Sequence, residues 1–209
     1  MTGRPGAGDF AVALAAAARS ATAATDVEAA LRGFADAARD AIGDHGAAAR
    51  PGALQEGELD YRVAGVFLVT PDGAYNMLAG SVGFPPEQRR LMIPLAWNHP
   101  GRVVAAGRSI LIGNTDEEAG RFRQFLKSSR MGSSLYAPFF AEGRVAGQLV
   151  AAAQARGTYD AEDLARIEAL AATLGLAWRA LDGAAWLARD YPAPDAWRAE
   201  DHVTGESIS

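Results

Sequence analysis

The sequence of 209 residues contains no cysteine. Disulfides, thiolate metal ligands and cysteine nucleophiles are therefore excluded, because each of them needs a thiol sulfur. This composition is consistent with a reducing compartment, and we expect a cytoplasmic protein. No apolar run approaches the ~18 residues that cross a bilayer, and the chain does not begin with a charged segment followed by a strongly apolar one. We therefore predict neither export nor contact with a membrane.

Basic residues are too few and too scattered to indicate a nucleic-acid partner. The chain has 20 Lys and Arg against 25 Asp and Glu, a net charge of −5 and a pI of about 5.2. Proteins that bind the phosphate backbone usually carry a basic face. The longest basic cluster consists of Arg121, Arg123, Lys127 and Arg130, and its spacing is typical of the solvated face of one helix.

Motifs for catalysis and metal binding are also missing. The three histidines, His45, His99 and His202, lie in a predicted loop, an irregular middle segment and the tail, with no H-x-x-H or H-E-x-x-H spacing. The sequence has no G-x-S-x-G elbow, P-loop or strand-led G-x-G-x-x-G. Acidic residues at 116–118 fit the start of a helix better than acid–base chemistry. We therefore predict no metal site and no enzymatic activity.

The apolar pattern predicts helices at both ends of the chain and about five strands between them. Apolar residues recur at helical spacing from Val27 to Ile42, and a longer stripe runs from Leu164 to Leu181 behind an N-cap at Asp160. Further helices are predicted over 85–92 and 117–128. The predicted strands are 62–70, 74–80, 109–112, 133–140 and 145–154. This order indicates an α+β fold with a mainly antiparallel sheet.

We divide the chain into a disordered N-terminus (1–8), one domain (9–182) and a C-terminal tail (183–209). Within the domain, a series of short motifs resembles the GAF family of sensory domains: a short helix, turn and strand, a strand-end aspartate, a serine-led strand, a glycine-containing return strand and the entry into the last helix. The motifs are 101–112, 114–116, 131–138, 143–150 and 159–164. The resemblance covers residues 25–182, and the glycine of the return strand lets another backbone approach closely.

The resemblance implies a central, mainly antiparallel sheet with the N- and C-terminal helices packed on one face and a ligand pocket on the other. It also implies a homodimer formed through the terminal helices. The family's covalent bilin chromophores and its methionine sulfoxide reductases depend on cysteine, so both are excluded here. Its cyclic-nucleotide-binding members carry an Asn-Lys-Phe-Asp-Glu set that the sequence after Asn114 does not reproduce. The cofactor or ligand is therefore left unknown.

In a GAF layout the pocket floor comes from 110–112 and 133–137, and the lid comes from 84–104 and 114–131. The candidate ligand-binding residues are Phe84, Met92, Trp97, His99, Asn114, Asp116, Phe125, Met131, Ser133 and Tyr136. Simple core packing is the alternative for the phenylalanines and methionines among them. For His99 we weigh a ligand-pocket donor or an axial haem ligand against a structural role at the start of the following helix.

Three functions are compatible with this sequence. The first is a non-catalytic sensor that binds a small molecule and, through the terminal helices of a dimer, signals to a separate effector protein. The second is a ligand-free dimerisation or docking module of a larger complex. The third is a haem-based gas or redox sensor. No output domain is expected after Asp182, so the tail, with its tryptophans and acids, is the candidate docking segment for the effector.

Overall fold

A computed structural model describes residues 3–117, 131–191 and 195–201. The helices are α1 (Ala7–Ala23), α2 (Val27–Ala41), α3 (Asn98–Ala106), α4 (Ala161–Ala180) and α5 (Gly183–Asp190). The strands are β1 (Arg62–Val69), β2 (Tyr75–Val82), β3 (Leu91–Pro94), β4 (Ile110–Ile112), β5 (Ser133–Ala141), β6 (Arg144–Ala153) and β7 (Trp197–Arg198). Short 3-10 turns lie at Ala47–Ala49, Pro86–Gln88 and Ala199–Asp201.

The described strands form one sheet in the order β4-β5-β6-β1-β2-β3-β7. Neighbouring strands are antiparallel except β3 and β7, which are parallel. The predicted α+β fold with a mainly antiparallel sheet is confirmed. Two of the seven strands, β3 and β7, were not predicted, and they lie together at one edge of the sheet.

The prediction of a helix through 85–92 was wrong. Only the 3-10 turn Pro86–Gln88 forms there, and the chain then enters β3. Arg90 has a left-handed backbone with a φ of 59°, and its N–H donates to the carbonyl oxygen of Leu78 at 3.1 Å. This reversal turns the chain back along β2, which a continuous helix could not do.

The two longest predicted helices are confirmed, and an aspartate caps each of them. The Asp160 carboxylate accepts hydrogen bonds from the N–H groups of Glu162 and Asp163 at 2.9 and 3.1 Å. In turn, the Asp163 carboxylate accepts from the Asp160 N–H at 3.0 Å. These reciprocal bonds satisfy donors that a helix start leaves free. Helix α2 is capped by Asp26, whose carboxylate accepts from two N–H groups.

Helices α1, α2 and α4 cover one face of the sheet. The predicted stripe of α4 faces the core: Ile167, Leu174 and Trp178 are buried, while Leu164 and Leu181 are partly buried against the same cluster. Their partners in that cluster include Phe34, Leu68, Met77, Leu135, Phe139 and Leu149. Burial of this apolar surface, at about 25 cal/mol per Å², is the main source of stability for such a layer.

The termini contact this core. The segment predicted to be disordered includes the first two residues of α1, and within it Arg4 forms ion pairs with Asp160 at 3.0 Å and with Asp163. At the other end, α5 and β7 both lie in the predicted tail. No helix in the described part of the chain is long and apolar enough to span a membrane.

Candidate ligand-binding site

The sheet face opposite α1, α2 and α4 carries a second apolar cluster, and we call this surface the site face. The cluster consists of the buried side chains of Phe67, Leu78, Leu91, Ile93, Val103, Ile112, Tyr136, Val150 and Ala199. Strand alternation separates the two faces, because successive side chains of a strand point to opposite sides of the sheet. The site face is therefore built from residues that alternate with those of the helix-covered core.

Helix α3 covers part of the site face and begins at Asn98, before the 101–112 motif in which a short helix was predicted. Gly101 lets the first turn of α3 lie close to the chain that leads into it, since a Cβ there would lie 1.8 Å from the carbonyl oxygen of Leu95. Val103 is fully buried beneath the helix in the site-face cluster. The helix ends at Gly107, whose left-handed φ of 58° is readily adopted by glycine.

Phe84 fills a gap that Gly65 leaves in the sheet. A Cβ at Gly65 would lie 3.1 Å from Cε2 of Phe84 and 2.8 Å from Cδ1 of Leu78. The Phe84 ring also meets the Phe67 ring edge to face, with centroids 6.3 Å apart. A glycine in the middle of a strand thus creates room for an aromatic side chain above the floor of the site face.

Asn76 places an amide inside this apolar surface. It lies two residues before Leu78 on β2 and opposite Val69 and Ile93, so its side chain is on the site face. Asn76 is fully buried, and neither Nδ2 nor Oδ1 has a hydrogen-bond partner in the described part of the structure. A buried polar group without a partner costs about 1–3 kcal/mol, so its presence calls for an explanation.

Three more buried polar groups share the site face. Gln148 lies opposite Phe67, while Ser134 and Tyr136 follow each other at alternate positions of β5. Burial raises the pKa of the Tyr136 phenol to about 12, against a smaller lowering by the neighbouring Ser134 hydroxyl. The phenol is therefore neutral at physiological pH and retains its proton for donation. All four polar groups are uncharged, which suits a ligand without concentrated charge.

Four of the ten predicted site residues lie on or against the site face. Tyr136 belongs to its floor, and Phe84 and Trp97 pack on it as partly buried rings. Met131 is buried in an adjoining cluster with Val63 and Ala152 that also contacts Phe84. The structure therefore brings these aromatic and methionine side chains together around one surface, where they stay candidates for ligand contact.

Two predicted site residues point to the other side of the sheet. Met92 pairs with Met77, and both are buried in the core beneath the helices. Ser133 precedes Ser134 and so faces away from the site face; its hydroxyl donates to the carbonyl oxygen of Ala155 at 2.7 Å. Strand parity explains both placements, because a shift of one residue moves a side chain to the opposite face.

Asn114 and Asp116 lie at the end of β4, beside a separate cleft of about 470 Å³. The Asn114 side chain accepts from the Asp116 N–H at 3.1 Å and donates to Glu117 Oε1 at 3.0 Å. The Asp116 carboxylate accepts from Nε of Arg156 and from Nε2 of Gln55, both at 2.9 Å. The cleft is lined by Arg50, Pro51, Gly52, Ala53, Leu111, Ile112, Gly113, Asn114, Glu117, Arg156 and Gly157. These contacts hold neighbouring loops together, so both residues have structural roles.

The two remaining predictions are not tested. His99 belongs to α3, but its side chain lies outside the described part of the structure, as does the whole of Phe125. In the regions that the structure describes, no group of His, Asp and Glu is arranged to hold a metal ion.

Asn76, Ser134 and Gln148 were not among the predicted site residues. Each interrupts an apolar strand pattern with a polar side chain, and all three share one face by the two-residue period of a strand. That signal was present in the sequence. It could be read only with the strand register, which decides whether such a residue meets the solvent, the helices or the site face.

Comparison with known proteins agrees with this architecture. The family model for the GAF domain matches residues 24–179. The GAF domain of an Acinetobacter phosphoenolpyruvate-protein phosphotransferase superposes with a TM-score of 0.65 at 14% identity, over 88% of this chain and 95% of that chain. The corresponding domain from Coxiella burnetii gives a TM-score of 0.64 at 14% identity, over 85% and 97%.

An enzyme structure is similarly close. The free methionine-R-sulfoxide reductase of Neisseria meningitidis, solved with its substrate, gives a TM-score of 0.64 at 22% identity, over 84% of this chain and 91% of that chain. No curated protein sequence matches this chain significantly. At these identities the structural likeness shows the fold alone.

Proposed function

Because this chain belongs to the GAF domain family, we propose that it is a non-catalytic regulatory module that binds a small molecule on the site face and signals to a separate effector protein in the cytoplasm. The observation that carries this proposal is Asn76. A fully buried amide to which the described residues offer no partner is destabilising without a ligand, and a bound molecule would satisfy it.

The chemistry of the site face narrows the class of ligand. The Asn76 amide offers an N–H donor and a carbonyl acceptor side by side, which match an adjacent acceptor and donor on a ligand. Phe67, Leu78 and Ile93 surround it with apolar surface. We therefore propose a small, flat, mostly apolar molecule that carries an amide-like edge. A phosphate-bearing ligand fits less well, because the buried polar groups identified on this face are uncharged.

A binding function is favoured over catalysis by the composition of the chain. The sulfoxide reductases of this family use cysteine thiols, and this sequence has no cysteine. The buried polar groups of the site face are an amide, a second amide, a hydroxyl and a neutral phenol. These groups donate and accept hydrogen bonds, but at neutral pH they are weak acids and bases and weak nucleophiles.

The ligand can be identified and the site tested in two steps. Native mass spectrometry of the purified full chain reports bound molecules and oligomeric state together, and absorption spectra after addition of haem test the haem hypothesis. Thermal unfolding then compares wild type with Asn76→Leu and with the control Asn114→Ala, which removes an amide outside the site face. A ligand at about 100 times its Kd stabilises the native state by roughly 2.7 kcal/mol.

We expect this stabilisation in wild type and in Asn114→Ala but not in Asn76→Leu. An equal shift in Asn76→Leu would place the ligand elsewhere. If no molecule co-purifies and no metabolite of a broad panel shifts the unfolding temperature, the sensor hypothesis fails. A Soret band that forms with haem would support the haem sensor instead.

A second candidate is an interaction module that needs no ligand. It is favoured by two exposed apolar side chains on contacting helices, Val12 on α1 and Leu176 on α4, which are 68% and 70% exposed. In a dimer that forms through these helices, the two side chains would be candidates for contact with the second copy of the chain. Light scattering of Leu176→Glu against wild type tests this dimer, and an unchanged dimer mass argues against this face.

A further inference from the structure

The C-terminal segment 195–201 closes one end of the site face. Strand β7 pairs in parallel with β3, with Trp197 opposite Leu91 and Arg198 opposite Met92. The Trp197 N–H donates to the carbonyl oxygen of Arg90 at 3.3 Å. The segment therefore extends the sheet beside β3, whose Ile93 in turn pairs with Asn76 on β2.

This segment contributes buried surface to the site itself. Ala199 is only 3% exposed and belongs to the same cluster as Phe67, Leu78 and Ile93. Trp197 packs against that cluster as a partly buried ring. Removal of the segment would thus uncover the apolar floor next to Asn76. A stretch of chain that sequence analysis assigned to an external docking tail is part of the wall of the site.

Outside the apolar cluster, the polar contacts that the described residues make with this segment lie towards its outer surface. The hydroxyl of Tyr75 donates to Oε1 of Glu200 at 2.6 Å, and the Arg198 guanidinium lies 5.5 Å from the Tyr75 ring centroid. Asp195 pairs with Arg89, both side chains being about half exposed. The strand pairing itself spans two residues. Short edge strands and exposed ion pairs contribute little stability, so local opening of this segment is feasible without unfolding of the domain.

We propose that residues 195–201 form a wall of the ligand site that can open, and that the hydrogen bond between Tyr75 and Glu200 is the latch that holds it closed. Trp197 and Ala199 are the residues of this wall that contact the ligand. This inference rests on the proposed small-molecule site. It gives the chain a way to report occupancy: a ligand that contacts Trp197 and Ala199 binds better when the segment is docked, and by reciprocity it favours the docked state. An effector that binds the released segment would then detect the empty site.

The absence of native cysteine allows a direct test on the full chain. Ala199→Cys introduces one thiol at a buried position, and its rate of reaction with an aromatic disulfide reagent measures how often the segment opens. Added to this background, Glu200→Ala removes the acceptor of the Tyr75 hydrogen bond. Asp201→Ala is the matched control, because it deletes a neighbouring exposed carboxylate that does not bond to Tyr75. Tyr75→Phe removes the same bond from the other side.

We expect Glu200→Ala and Tyr75→Phe each to raise the reaction rate about tenfold, while Asp201→Ala changes it by less than about twofold. In the same variants without the cysteine, the dye anilinonaphthalene sulfonate should fluoresce more strongly only where the latch is broken, because Leu91 and Ile93 become accessible. Equal thiol rates in Glu200→Ala and Asp201→Ala would overturn the latch. A faster thiol reaction without stronger dye fluorescence would contradict the proposal that the segment covers the apolar surface of the site.

These readouts need no ligand, so they separate the two proposals. If no small molecule binds and Asn76→Leu has no effect on binding, the proposed function fails while the thiol and dye results still report the wall. If a ligand binds through Asn76 but at saturating concentration does not slow the thiol reaction of Ala199→Cys, the function stands and the coupling to residues 195–201 is refuted.

Discussion

The carboxylate of Asp163 on α4 accepts a hydrogen bond from the backbone N–H of Gly43 at 2.9 Å, although the two residues lie 120 positions apart. The same carboxylate accepts from the Asp160 N–H and pairs with the guanidinium of Arg4. Asp163 is fully buried. One side chain therefore joins the N-terminal segment, the end of α2 and the start of α4, and its charge is compensated in the manner that burial requires.

Replacement of Asp163 by alanine should destabilise the protein by about 3 kcal/mol, because it leaves the Gly43 N–H without an acceptor and removes the partner of Arg4. The free energy of unfolding in urea measures this loss. Asp40→Ala is a suitable control, since that exposed carboxylate pairs with the neighbouring Arg39 at the surface of α2 and should contribute less than about 1 kcal/mol. Similar losses in the two variants would contradict the role assigned to Asp163.

Acid should weaken the contact between the N-terminal segment and α4. Burial by itself would raise the pKa of Asp160, but the N–H groups of Asp163 and Glu162 and the charge of Arg4 lower that pKa below its ordinary value. The unfolded chain then takes up the proton more readily, so this stability is present above the unfolded pKa of about 3.9 and is lost as pH falls through the folded pKa.

Arg4→Gln should therefore reduce the dependence of stability on pH in the acidic range. We expect the variant to be less stable than wild type near pH 6 and the difference to shrink towards about pH 3. Urea unfolding at both pH values provides the measurement, and Arg144→Gln, which breaks an exposed pair with Glu142, controls for loss of a surface charge. A difference that stays constant with pH would show that Asp160 does not mediate the effect.

Local patterns predicted α2, α4 and the central strands because the causes of these elements lie within a few residues. The stripe of α4 and its cap at Asp160 are set by helical spacing and by backbone donors at the helix start. Strand β7 has no such local cause, since two residues, Trp197 and Arg198, form it only where they meet β3. The apolar periodicity of the sequence therefore could not predict this edge of the sheet.

The residues of the site also fall into two groups, those that the sequence could predict and those that it could not. The resemblance to a known family led to Phe84, Trp97 and Tyr136, which lie on or against the site face. It also led to Met92, which faces the helices, because the sequence placed a helix where the chain forms β3. Asn76 was passed over since an amide in a hairpin strand is usually solvent-exposed, and only its pairing with Ile93 shows that it is buried.

Gly147 on β6 illustrates a predicted close approach that the structure confirms. A Cβ at this position would lie 2.3 Å from the carbonyl oxygen of Phe67 and 2.5 Å from the Phe139 ring. Gly147→Ala should cost more than about 3 kcal/mol or prevent folding, because the central pairing of β1 and β6 must shift. Gly113→Ala is the control, with no atom within 4 Å of the added methyl group. Chemical denaturation and circular dichroism of both variants test this; comparable stability would contradict it.

Asn76→Leu should make the unliganded protein more stable while it removes ligand binding. Leucine is close to asparagine in size, and it replaces two buried polar atoms that lack partners with carbon atoms that suit Phe67, Leu78 and Ile93. We expect a gain of about 1 kcal/mol in the free energy of unfolding, measured by urea denaturation of ligand-free protein. Asn76→Ala distinguishes polarity from packing, since it removes the amide but leaves a cavity and should be less stable than Asn76→Leu.

If Asn76→Leu is instead destabilising by 1 kcal/mol or so, the amide has a structural partner in the unliganded protein, and its selection for ligand recognition loses its physical basis. A stabilising substitution at the centre of the site face would mean that the wild-type residue is kept there at the expense of stability, which is the signature of a binding residue rather than of core packing.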